Sequence, residues 1–155
     1  MQYFEDIEIG HTMRFGNYAV TREEVIAFAL KYDPQPFHLD DAFAATTHFG
    51  RLSASGWHSC AMVMAMLVEN MKRHPSAGRG SPGVDDLRWL KPVYPGDTLR
   101  VETKVFSKRQ SVSKPEMGFF RSTVTVFNQD DAIVMTMISN GIIATRGEAN
   151  AKPRL

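Results

Sequence analysis

The chain has 155 residues, of which 43% are hydrophobic and 23% charged, with a formal net charge of +1. That size suits one domain with a core that needs no covalent staples, and the balance excludes a disordered or fibrous chain. Near-neutrality without a long basic block gives no footprint for nucleic acid, and a lone cysteine, Cys60, excludes an intrachain disulfide and a cysteine-built zinc site.

The histidines are scattered without ligand spacing, so no metal is expected. The N-terminus MQYFEDIEIG lacks the basic-then-apolar pattern of a signal segment. The longest apolar run, Cys60 to Val68, is far below the ~18 residues of a membrane span. The expectation is a cytoplasmic protein with no membrane partner, folded as one domain over 1–155, with 147–155 as a polar, fraying tail.

In chain order, Thr12 to Val20 reads as a strand. Thr21 then starts a helix as N-cap, with Glu24 completing a capping box and Val20 and Val25 at the staple positions. Val25, Ala29 and Tyr32 recur at helical spacing. Pro34 disfavours helical geometry at Asp33, so the helix stops near Tyr32. Pro34 and Pro36 then stiffen Asp33-Pro34-Gln35-Pro36-Phe37-His38, which is expected to be non-helical.

A short helical piece follows over Asp40 to Thr47. Small residues before Gly56 lead into a long helix over Trp57 to Lys72. Cys60 to Val68 is apolar on all sides, which predicts burial on every face. Four methionines, at 62, 64, 66 and 71, lie in that helix, where they fill irregular gaps. Beyond a Gly/Pro/Ser loop, strands are expected over Val84 to Val93, about Leu99 to Val105, Phe120 to Phe127, and Ala132 to Ala144. Asn128 to Asp131 forms a hairpin loop, and Gly141 is a candidate bulge. This order describes an α+β domain, an antiparallel sheet wrapped around a long central apolar helix. Its open edges favour a dimer by edge pairing.

Asp33 and His38 are the best-placed titratable pair, five residues apart on a proline-braced loop. A carboxylate and an imidazole together can hold one water and move protons both ways. Spacing alone fits a turn-capping Asp and a surface His somewhat better. Gly56 opens the long helix, where free N–H groups favour a developing oxyanion; a plain helix-start glycine fits as well. His58 reads as a packed histidine, His48 and His11 as surface residues, and Cys60 as an inert thiol. Trp57 reads as core or pocket wall, and Trp89 as core. Neither a G-x-S-x-G elbow nor a glycine-rich phosphate loop is present.

The stretch YDPQPFHLDDAFAATTHFGRLSASGWH, residues 32–58, resembles the MaoC-like dehydratase family, which includes the (R)-specific enoyl-CoA hydratases. That family carries a segment of the form D-x-N-P-(apolar)-H, and Asp33, Pro36 and His38 fall in register with it. LRWLKPVYPGDTL, residues 87–99, is similar to the family's strand and turn after the central helix. The likeness spans about residues 10–145.

The resemblance implies a hot-dog fold, a homodimer or dimer-based oligomer, and an acyl-CoA or acyl-ACP substrate. It implies Asp33 and His38 as the catalytic pair, with the Gly56 N–H on the thioester carbonyl and Ser55 and Trp57 beside the substrate. Hydration of a trans-2-enoyl thioester to the (R)-3-hydroxyacyl product, or its reverse, would need no cofactor beyond coenzyme A as part of the substrate. Arg51, Lys72, Arg79 and Lys91 are candidates for its phosphates. Gln35 stands where the family has Asn, Ser55 where His is common, and Tyr32 where Gly is common. A hot-dog thioesterase and a non-catalytic thioester-binding protein are the competing expectations.

Overall fold

The computed structural model describes residues 1–147; the tail expected over 147–155 lies, Gly147 apart, outside the described residues. Strand β1 (Thr12–Ala19) leads into α1 (Arg22–Tyr32), the short α2 (Asp41–Ala45) and the long α3 (Gly56–Arg73). Four strands follow: β2 (Gly83–Trp89), β3 (Thr98–Gln110), β4 (Met117–Phe127) and β5 (Ile133–Ala144). All pairings are antiparallel, in the order β1-β3-β4-β5-β2, so β1 and β2 are the edges.

The local signals act largely as their chemistry dictates. The Thr21 hydroxyl accepts from the Glu24 N–H at 3.3 Å and caps α1. Only half of the capping box forms, because both Glu24 carboxylate oxygens take the Tyr18 hydroxyl, at 2.8 and 2.9 Å. Asp33 ends α1 outside helical geometry, at φ −150° and ψ 67°, in keeping with the following proline. Asp40 caps α2 by accepting from the Phe43 N–H at 2.7 Å. Asn128 closes the β4–β5 hairpin by accepting from the backbone of Asp130 and Ala132.

The core forms where α3 crosses the sheet. Met62, Val63 and Met66 pack with Leu99, Val101, Val124, Val126, Val134 and Met135, all buried. Each such side chain contributes roughly 1.5–3 kcal/mol of burial. Gly16 sits in a β1 bulge at φ +93°, and its missing Cβ is what lets Met66 lie against the strand.

Five expectations are corrected. Pro36–His38 forms a 3-10 turn, because proline is pre-organised for the first helical position and the Leu39 N–H bonds back to Pro36. Gly141 is in register with Phe120 and makes no bulge; its lack of a side chain makes room for the Phe120 ring. β2 ends at Trp89, short of Val93, and Val93 instead accepts from the Ala54 N–H. Tyr32 faces solvent, with the Phe28 ring as its neighbour.

The fifth correction concerns α3, which is not buried on every face. Trp57, Ala61, Met64, Val68 and Met71 are all exposed. Their successive spacings of four, three, four and three residues form one straight stripe along the helix. Among the described residues no helix is long and apolar enough to cross a membrane.

Candidate active site

The loop after α1 carries Asp33 and His38 to the N-terminal end of α3. The two prolines and the 3-10 turn between them fix both backbones, with the His38 N–H bonded to the Gln35 carbonyl at 3.0 Å. The His38 ring is buried between the rings of Phe37 and Phe49, at centroid distances of 4.6 and 6.0 Å. Its Nδ1 lies 2.7 Å from the Ser53 carbonyl oxygen. A carbonyl only accepts, so Nδ1 carries the proton and donates. Nε2 is thereby left facing Asp33 Oδ2, 3.5 Å away. The other side of His38 needs no partner to set the tautomer, because the backbone sets it.

Asp33 is clamped from both sides. Buried Ser55 donates its hydroxyl to Oδ2 at 2.7 Å, and Gln35 donates its amide N–H to Oδ1 at 2.7 Å. Partial burial pushes the Asp33 carboxyl up. The Ser55 and Gln35 hydrogen bonds and the nearby His38 outweigh it and hold the group below the usual carboxylate value. The result is an ionised oxygen and an imidazole nitrogen aimed at the same small volume.

Gly56 opens α3, and among the described residues its N–H donates to no protein group. Glycine at this position also has a packing reason. A Cβ at residue 56 would stand 2.5 Å from the Trp89 indole, so the glycine accommodates Trp89. Trp89 is therefore no core residue but is 46% exposed on edge strand β2, and it meets Trp57, 61% exposed, edge-on at 5.3 Å. Both rings stand beside Gly56 as a half-open aromatic wall.

Sequence reasoning brought Asp33, His38, Ser55, Gly56 and Trp57 to one end of the molecule, as the structure does. The Ser55 hydroxyl, however, is spent on Asp33, 22 residues away. The Ser53 carbonyl was not foreseen, since a backbone acceptor leaves no mark on residue type. His58 is buried and stacked on Phe28 at 4.8 Å; burial pushes its pKa down, with Glu24 opposing. Burial pushes the Cys60 thiol up, against an opposing hydrogen bond from Trp89. His11 and His48 are exposed. A cleft of about 540 Å³ lies elsewhere, between β1 and the C-terminal half of α3, lined by residues such as Phe15, Tyr18, Met66 and Arg73.

An antiparallel sheet packed on one long helix, with its polar cluster at the helix start, defines the hot-dog class of α+β proteins. The chain belongs to the MaoC-like dehydratase family: the model of the MaoC like domain matches residues 6–126. It is 31% identical over 133 residues to the (R)-specific enoyl-CoA hydratase of Aeromonas caviae, covering 85% of this chain and 92% of that protein. It is 31% identical over 105 residues to the 3-hydroxybutyryl-CoA dehydratase of Methylorubrum extorquens, covering 66% of this chain and 63% of that one. A crystal structure of a MaoC-like dehydratase from Rhodospirillum rubrum superposes with a TM-score of 0.86 at 33% identity, over 94% of this chain and 99% of that one.

The clamp on Asp33 makes a pH prediction. Ser55→Ala removes a donor to the charged form, so the Asp33 pKa rises. If turnover requires ionised Asp33, it is lost as pH falls through that pKa, and the acid limb moves to higher pH. At neutral pH we expect roughly a tenfold loss in kcat, the order of one hydrogen bond to a charged group. A pH–rate profile superimposable on that of the unmodified protein would remove Ser55 from this role.

Proposed function

We propose that this chain is an acyl-thioester hydro-lyase that adds water to a trans-2-enoyl-CoA, giving the (R)-3-hydroxyacyl-CoA, and runs the reverse dehydration. The observation that carries the reading is the Asp33 Oδ2–His38 Nε2 pair at 3.5 Å beside the free Gly56 N–H. The names of its relatives, the (R)-specific hydratase among them, support the reaction type and the hand of the product.

The thioester carbonyl accepts from the Gly56 N–H at the positive end of α3, which withdraws electrons from C3 and stabilises the enolate-like charge. One water bridges Asp33 and His38. Its oxygen bonds to C3 as the pair takes one of its protons, and a proton returns from the pair to C2. The oxygen ends on C3 and the balance of hydrogens is one water added. Dehydration retraces these steps.

Hot-dog thioesterases usually place a carboxylate on the central helix. Glu69 is the acid on that helix, and it sits toward the far end, paired with Lys72 and Arg73.

The working unit is a dimer in this reading. The stripe on α3 has the 3.5-residue period of helix-on-helix seams, and the outer edge of β2 is unpaired beside it. A second copy related by a two-fold axis would cover both. It would also close the space beside Trp57 and Trp89.

The test is a panel of enoyl thioesters of graded length on coenzyme A and on acyl carrier protein, followed by loss of the enoyl chromophore and chiral separation of the product. Hydration to the (R) alcohol is expected. Thiol release from saturated acyl-CoA without hydration would replace this reading by a thioesterase. Tight binding with neither reaction would replace it by a carrier.

A further inference from the structure

The segment 49–53 touches His38 at both ends. The Phe49 ring packs 6.0 Å from the imidazole, and the Ser53 carbonyl accepts from it at 2.7 Å. Between them, Leu52 is buried and Arg51 is exposed. The Arg51 guanidinium lies 3.9 Å over the Tyr94 ring. Tyr94 is itself pinned, its hydroxyl donating to the Phe49 carbonyl at 2.6 Å. The cation is thus held on an aromatic platform tied to the loop that packs His38.

Stacking occupies the face of a guanidinium and leaves its in-plane N–H fork free. Arg14, Arg22, Arg73, Arg100 and Arg121 each turn that fork to a carboxylate. Among the described residues Arg51 has no carboxylate partner. A pre-set, unneutralised fork of this kind is the geometry that receives carboxylate or phosphate.

Arg109 also lies over a ring, that of Phe119 at 4.5 Å, without a carboxylate partner among the described residues, but that pair sits on β3 and β4 and not on the loop that packs His38. The other candidate cations differ from Arg51 in place or chemistry. Lys72 is 16 residues along α3 from Gly56, ~24 Å at helical rise, and pairs with Glu69. Arg79 bonds by its N–H to Ile142, near the end of β5 remote from Trp89. Lys91 stands near Trp89 but is a point charge without the fork.

We propose that Arg51, held on Tyr94, is an anion subsite that binds an oxyanion carried by the thioester substrate. The oxyanion is either a phosphate of the coenzyme arm or a second carboxylate on the acyl group. This assignment rests on the thioester reading above and adds the residue that anchors the far part of the substrate.

Three thioesters separate the sources: crotonyl-CoA, crotonyl-N-acetylcysteamine, which has no phosphate, and an N-acetylcysteamine enoyl thioester bearing a second carboxylate. KM and direct binding by titration are measured for the unmodified protein and for Arg51→Met, Arg51→Lys and Lys72→Met. Arg51→Met is expected to raise KM and Kd about tenfold or more for the matching anion, with kcat within about twofold. An effect confined to crotonyl-CoA assigns phosphate; one confined to the carboxylated thioester assigns carboxylate. Arg51→Lys recovers only part of the loss, and Lys72→Met changes nothing. Unchanged KM and Kd for all three thioesters in Arg51→Met overturns the subsite. If the unmodified protein hydrates none of them, the reaction assigned above fails, and the titrations alone decide the subsite in the same way.

Discussion

Asp33→Asn and His38→Ala are each expected to lower hydration turnover by about 10²–10⁴-fold, the range for losing one acid–base group. Asn keeps the shape of the carboxylate but cannot take a proton, and one of its two polar atoms is a donor. It therefore opposes one of the two donors, Ser55 or Gln35, that now hold the side chain. His38→Ala removes the proton carrier and also strands the Ser53 carbonyl that Nδ1 serves. That loss of a buried partner costs about 1–3 kcal/mol of stability. His38→Gln, whose amide can still donate toward Ser53, separates the two effects. Thermal melting should show a smaller deficit for His38→Gln than for His38→Ala, while both stay inactive. Turnover within about tenfold of the unmodified protein for Asp33→Asn, in a folded sample, would dismiss the pair.

If the protein forms the dimer proposed above, with the α3 stripe as its contact, Met64→Glu is expected to make it a monomer. Met64 is 47% exposed in the single chain, so the charge leaves the fold of one copy intact. In the proposed assembly the charge would be buried in the middle of an apolar stripe. Burying an unpaired carboxylate costs several kcal/mol per ion, and roughly 4 kcal/mol already weakens association about a thousandfold. Light scattering and circular dichroism measure the two quantities. Met64→Leu should remain dimeric. A dimeric Met64→Glu protein, or a monomeric parent, would remove the α3 stripe as the contact. If the second copy also closes the space beside Trp57, turnover should fall with the dimer and return at high protein concentration.

Much of this molecule is legible residue by residue. Thr21, Asp40, Pro34 and Asn128 each act on backbone within four positions, and each acts in the structure as its chemistry requires. The proline brace places Asp33 and His38 at a fixed separation for the same reason. The failures are long-range. That Ser55 would reach Asp33, that the Ser53 carbonyl would hold Nδ1, and that Trp89 would lie on Gly56 are all decided by how β2 and the loop before α3 pack. No local preference encodes such meetings.

The run Cys60 to Val68 marks the boundary. Apolar residues on every side of that run predict burial on every face, but apolar composition does not by itself say which surface a fold covers. One side meets the sheet and the other is open in the single chain. Composition alone determined that Cys60 to Val68 is apolar all round. Only the tertiary structure decided which half is core and which half forms a bare stripe, since that depends on the face the sheet covers.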